Sequence, residues 1–224
     1  MSTTELDGPR LGPPNDEDPK KIVIFCHGYG ANGQDLIGLG AEWRDWIPHA
    51  VFVSPNAPEP VPGAPGGFQW FSIVRAGALD MELIRTGARK AAPTLNAFID
   101  AELARFGLKD SDLALVGFSQ GTMMALHVGL RRPSPPAAIV GYSGLLTDTE
   151  GLEGIGARPN PPIMLIHGDQ DPVIPFDATI EASDKLTALG LRVRRHISKN
   201  VPHGIGPDGV QLAGAFLADR LALV

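Results

Sequence analysis

Leu113-Ala114-Leu115-Val116-Gly117-Phe118-Ser119-Gln120-Gly121 is the stretch on which the reading of the fold turns. Its first four residues are an apolar run of strand length, and beyond it Met123, Met124, Leu126, His127 and Leu130 fall at helical spacing. A buried strand therefore passes straight into a helix, with Ser119 at the corner. Such a corner holds a serine in a strained backbone conformation with its hydroxyl exposed. Side chains two residues away on either side would collide there, which accounts for Gly117 and Gly121. The string Gly-x-Ser-x-Gly says little by itself in a chain with 27 glycines. Its setting between strand and helix is what marks Ser119 as a candidate nucleophile rather than a helix-capping serine.

Similar apolar runs lie on both sides, at 22–26, 51–53, 138–140, 163–166 and 191–197, and helix-like segments at 34–39, 81–106, 120–131, 180–189 and 209–223 separate most of them. Strand followed by helix, repeated, predicts an α/β fold: a mostly parallel, doubly wound sheet with helices on both faces. Ligands bind such sheets at the carboxyl ends of the strands. Residues 1–19 are rich in Pro, Gly, Asp and Glu and are expected to form a flexible tail, leaving 20–224 as a single domain. The connection 55–79 is rich in Pro and Gly yet carries Phe68, Trp70, Phe71, Ile73 and Val74. A connection of that length without regular structure is expected to be a lid or binding loop.

The formal net charge of −6, with no cluster of Lys and Arg interleaved with aromatics, argues against nucleic acid or an anionic membrane as partner. Arg192, Arg194 and Arg195 read as a solvated sheet edge. The single cysteine, Cys26, excludes an intrachain disulfide and sits in an apolar strand as a small buried hydrophobe. No run of 18 apolar residues and no signal-peptide pattern occurs, so a cytoplasmic protein is expected. A homodimer is left open.

A serine at such a corner works only with a base and a carboxylate to orient it, which in this kind of sheet follow later in the chain. The strand 163–166 runs into His167-Gly168-Asp169-Gln170-Asp171-Pro172, and the last strand into Val201-Pro202-His203-Gly204-Ile205. His203 is the candidate base. Asp169 and Asp171 both qualify as its partner, since either could instead serve as a turn residue. The oxyanion of an attacked carbonyl needs two backbone N–H donors, expected from Tyr29 and Gln120. His49, His127 and His196 read as packing residues, and His27 and His167 as braces of their loops. The histidines lack metal-binding spacing, and neither metal nor cofactor is expected. Apolar residues from four stretches converge on the catalytic rim and predict an acyl pocket: Phe68, Trp70, Phe71 and Ile73; Leu145 and Leu146; Val173 and Ile174; and Ile205.

Together, His27-Gly28-Tyr29-Gly30, Gly117-Phe118-Ser119-Gln120-Gly121, His167-Gly168-Asp169-Gln170-Asp171-Pro172-Val173-Ile174-Pro175 and Pro202-His203-Gly204 resemble the phospholipase/carboxylesterase family of α/β-hydrolases, from about Lys20 to the C-terminus. That resemblance implies the α/β-hydrolase fold and selects Asp171 as the catalytic aspartate. It also makes Trp70-Phe71 similar to a segment beside the family's acyl pocket. It implies a cofactor-independent carboxylic ester hydrolase acting on a small acyl ester through an acyl-Ser119 intermediate. The alternative is an acyl-protein thioesterase or lysophospholipase working on longer chains. A hydrolase-fold binding protein without catalysis is disfavoured by the three intact triad residues. Thr122, Ser72 and Tyr29 stand where the family commonly has Gly, Asp and Leu. The bulk of Tyr29 and the Pro and Gly content of 55–79 predict a small pocket, best filled by butyrate to hexanoate.

Overall fold

In the computed structural model, which describes residues 6–75 and 78–223, a seven-stranded sheet forms the centre of the chain. The elements run β1 (Arg10–Leu11), β2 (Lys21–Cys26), α1 (Gly33–Trp43), β3 (Ala50–Val53), β4 (Glu59–Pro60), β5 (Phe68–Gln69), β6 (Val74–Arg75), β7 (Ala78–Leu79) and α2 (Met81–Phe106). They continue with β8 (Leu113–Phe118), α3 (Gln120–Gly129), β9 (Ala138–Tyr142), β10 (Ile163–Gly168), α4 (Asp177–Ala188), β11 (Val193–Ser198) and α5 (Pro207–Arg220). The sheet order is β1-β3-β2-β8-β9-β10-β11. Only β1 is antiparallel to its neighbour. This is the mostly parallel, doubly wound arrangement expected from the strand and helix rhythm, and it agrees with the α/β-hydrolase fold that the resemblance implies.

Alternation along each strand divides the apolar side chains between two cores. Ile22, Ile24, Leu113, Leu115, Ile139, Ile163 and Leu165 face α2, α3 and α4, while Val23, Phe25, Ala114, Val116, Val140, Met164 and Ile166 face α1 and α5. Cys26 is fully buried, and burial pushes its thiol up to about 12, which makes it an inert packing residue. The long helix α2 has its expected bounds because both ends are capped. The Asp80 carboxylate accepts the Leu83 N–H at 2.9 Å, and Gly107 leaves the helix in the left-handed conformation.

Two expectations need correction. The N-terminal segment is not a free tail from Leu6 onward. Leu6 is buried in the core, β1 pairs Arg10 with Val53 and Leu11 with Phe52, and the Arg10 guanidinium donates to both oxygens of buried Glu102 at 2.7 and 3.0 Å. Composition misjudged this segment because one leucine, one arginine and a few backbone bonds suffice when a ready-made sheet edge is waiting. The connection 55–79 also has regular structure: β4 pairs with β5 and β6 with β7, both antiparallel. Residues 1–5 of the expected tail, 76–77 of this connection and 224 at the domain end lie outside the described residues.

Candidate active site

Ser119 follows β8 directly and caps α3 with φ 53° and ψ −115°, a conformation that costs a non-glycine residue about 1–3 kcal/mol. Its N–H donates to the Tyr142 carbonyl at 2.8 Å, and its own carbonyl accepts from Thr122 and Met123 N–H at 3.0 and 3.3 Å. The strain is thus held by β9 on one side and the first turn of α3 on the other. A Cβ at Gly121 would lie 1.7 Å from the Cys26 carbonyl oxygen, and one at Gly117 would lie 2.3 Å from that of Gly121. The crossing of strand and helix leaves no room for either. Thr122 replaces the glycine common in the resembled family without disturbing this corner. Its hydroxyl meets the carbonyls of Gly117 and Tyr142 at 2.8 and 2.7 Å, and its methyl fills space left by Gly141 and Gly144.

At the ends of β10 and β11 on the same rim, His203 Nδ1 donates to Asp171 Oδ2 at 2.6 Å. Asp169 does not reach His203; its carboxylate accepts the Asn200 N–H at 2.6 Å and braces the neighbouring turn. The Asp171 side chain is completely buried. Its Oδ1 accepts the N–H groups of Val173 and Ile174 at 2.8 and 2.9 Å. Burial alone would raise its pKa, but the hydrogen bonds from His203, Ile174 and Val173 outweigh it and hold the carboxyl below its ordinary value. A second histidine touches the same oxygen: His167 Nε2 lies 3.0 Å from Asp171 Oδ2 and 2.9 Å from the Ile174 carbonyl. A carbonyl only accepts, so Nε2 carries the proton, and Nδ1 accepts from the Thr179 hydroxyl at 2.7 Å. Burial lowers the pKa of His167 and keeps it neutral. The His203 ring packs against Phe118, the residue before Ser119, with centroids 5.0 Å apart.

The connection between β3 and α2 covers this corner. The Gln120 side chain accepts the Trp70 N–H at 2.9 Å and donates to the Phe71 carbonyl at 2.6 Å. Trp70 Nε1 donates to the His27 carbonyl at 3.0 Å. His27 Nε2 accepts the Ala57 N–H at 2.9 Å, so Nδ1 carries the proton toward the Gly28 carbonyl at 2.7 Å, the loop-bracing role expected of it. The backbone N–H of Gln120 falls in the first turn of α3, where helices leave donors free. Tyr29 lies in the turn after β2 and is 40% exposed.

Of the predicted pocket residues, Trp70, Phe71, Leu145 and Ile174 are buried in the core under α2, α3 and α4, and Phe68, Ile73 and Leu146 pack against it. Val173 is exposed, and Ile205 sits apart, against the core of the opposite sheet face. The cavity that touches His203 is lined by Leu36, Leu39, Phe118, Ile205 and Val210 among others and has a volume of about 540 Å³. Sequence reasoning missed its α1 wall. The available signal was position: α1 begins at Gly33, directly after the turn holding Tyr29, so its first turns must border the catalytic rim.

The model of the phospholipase/carboxylesterase family matches residues 13–221. Acyl-protein thioesterase 1 of Schizosaccharomyces pombe is 32% identical over 158 residues, 68% of this chain and 69% of its own. Esterase YpfH of Escherichia coli K12 is 28% identical over 198 residues, 88% of this chain and 82% of its own. Among solved structures, that of esterase PE8 has a TM-score of 0.89 and 42% identity, covering 97% of this chain and 100% of that one. With the elbow, the Asp-His pair and the sheet order in the same chain, these matches leave one assignment: the chain belongs to the phospholipase/carboxylesterase family of α/β-hydrolases.

Proposed function

We propose that the chain is a serine carboxylesterase that hydrolyses short- to medium-chain acyl esters through an acyl-Ser119 intermediate. The observation that carries this reading is the 2.6 Å hydrogen bond from His203 to the buried Asp171 carboxylate, on the rim where the strained Ser119 joins β8 to α3. With Nδ1–H directed at Asp171, neutral His203 has Nε2 free to take the Ser119 proton as Oγ attacks the acyl carbon. The carbonyl oxygen then carries the negative charge, facing the N–H groups of Tyr29 and Gln120. Collapse breaks the bond to the leaving oxygen, which receives the proton from His203. Water repeats the sequence on the acyl-enzyme and releases the acid. The burial of Trp70 and Phe71, at 1% and 4% exposure, favours a short acyl group, because neither ring lines an open channel as placed.

The thioesterase name of the fission-yeast relative favours a second reading, a longer-chain thioester attacked by the same serine. A series of p-nitrophenyl esters beside a palmitoyl thioester separates the two. Esterase activity should peak between butyrate and hexanoate, and an unbroken rise to palmitate would favour the thioester. Ser119→Ala and His203→Ala should each abolish nearly all turnover, and the double variant should be scarcely worse than either, since triad members act as a unit. Losses that multiply would overturn the triad.

A further inference from the structure

The cavity beside His203 is bounded by α1 on one side and by Gly204, Ile205 and α5 on the other, with the half-buried Phe118 also in its lining. Leu36, Leu39 and Val210 make its walls apolar. Asp35 and Glu42, about two turns apart on the exposed side of α1, stand at its rim. Neither forms an ion pair among the described residues, and no lysine or arginine lines the cavity. Gly38 lies between them, with open space where a Cβ would be.

In the mechanism above, His203 returns its proton to the leaving oxygen, so the alcohol or thiol half of the substrate departs from within hydrogen-bond reach of His203. Any leaving group larger than methanol must extend into the space next to that histidine. We propose that the cavity is the leaving-group subsite and that it selects alcohols or thiols carrying an ammonium group on a short apolar linker. The inference rests on the esterase reading of Ser119 and His203. Two carboxylates without counter-ions attract a cation. The apolar walls and the Phe118 ring suit a methylated ammonium, whose charge is spread and weakly hydrated. A volume near 540 Å³ is in the range of small-molecule sites. In the reaction only the acyl bond to oxygen or sulfur breaks, the leaving atom takes the proton from His203, and the ammonium charge is unchanged.

The test compares acetylthiocholine with the neutral thioester in which carbon replaces the ammonium nitrogen, so that shape and acyl group are the same. The wild-type chain should favour the cation by about tenfold in kcat/KM at low ionic strength, and added salt should erode the preference. The double variant Asp35→Asn, Glu42→Gln should bring the ratio close to one. Gly38→Leu, which fills the cavity from a helix position that favours Leu over Gly, should lower kcat/KM for both thioesters by about tenfold. Equal rates on the pair, a preference that survives the double variant, or indifference to Gly38→Leu would each overturn the proposal. Methyl butyrate, whose methanol needs no subsite, reports separately on the esterase reading; failure of the wild-type chain to hydrolyse it would sink that reading instead.

Discussion

Both oxygens of Asp171 are fully engaged. Oδ1 accepts two backbone N–H groups, and Oδ2 accepts from His203 on one side and His167 on the other. A carboxylate held at four points cannot rotate, so the plane of the His203 ring is fixed through it. On the mechanism proposed above, His167 is a positioning residue that acts through Asp171 without touching substrate. His167→Leu should lower kcat by about tenfold, close to 1.4 kcal/mol of barrier, with KM little changed. His167→Gln, whose amide N–H can reach the same oxygen, should recover most of the loss; steady-state kinetics on a short ester would show it, and equal losses in both variants would remove the positioning role. The positions of Ser119 and His203 at strand ends on one rim were legible in the sequence because each follows an apolar run and a glycine marks the turn. The choice between Asp169 and Asp171 was not legible from spacing, because both occupy one turn and only the path of residues 171–174 decides which carboxylate faces His203. His167 read as a brace, and nothing local to it reveals that the chain folds back to place Asp171 against its ring.

At the scale of elements, the elbow helix α3 and the connection 55–79 are fastened together by one side chain. Gln120→Leu preserves bulk but strips the partners from the Trp70 N–H and the Phe71 carbonyl, both buried. Two orphaned groups should cost about 2–4 kcal/mol, seen as a lower urea midpoint with an unchanged slope. An unchanged midpoint would mean that the connection is anchored elsewhere. The long elements were readable because their periodicity persists; α2 even begins and ends at its expected residues, Met81 and Phe106. The pairs β4-β5 and β6-β7 were not readable, because a strand of two residues has no alternation to detect. Helix α1 runs four residues past its expected end at Leu39. Its continuation is set by Trp43, which is buried and donates Nε1–H to the Val210 carbonyl at 3.0 Å, a contact from a distant part of the chain.

For the molecule as a whole, stability should fall in acid before any carboxylate of ordinary pKa titrates. Burial and the nearby Arg131 guanidinium lower the pKa of His127 from 6.5 to about 4, and burial also lowers those of His27 and His167. The unfolded chain takes up these protons near pH 6.5 while the folded chain resists, so the contribution is complete above pH 6.5 and is lost as the pH falls toward 4. His127 alone should account for on the order of 3 kcal/mol, and His127→Gln should flatten the fall in denaturant midpoint between pH 6.5 and 4. A midpoint constant across that window would refute the buried neutral state. Removing residues 1–13 should also lower Tm, because Glu102 stays buried without Arg10 and Leu6 leaves the core. A loss of about 2 kcal/mol or more corresponds to at least about 4 °C, readable by calorimetry. The same segment also governs how the molecule meets its own copies. Residues 7–11 run along 52–56, with the Ser54 and Asn56 N–H groups bonded to the carbonyls of Pro9 and Asp7, and at the far side of the sheet β11 bears exposed Arg194 and Arg195. One edge is occupied and the other is charged, so neither offers bare apolar strand to another chain. Stripped of its first residues, β3 would present Val51, Phe52 and Val53 as a template for intermolecular pairing. The segment that composition marks as a flexible tail is therefore a guard against aggregation.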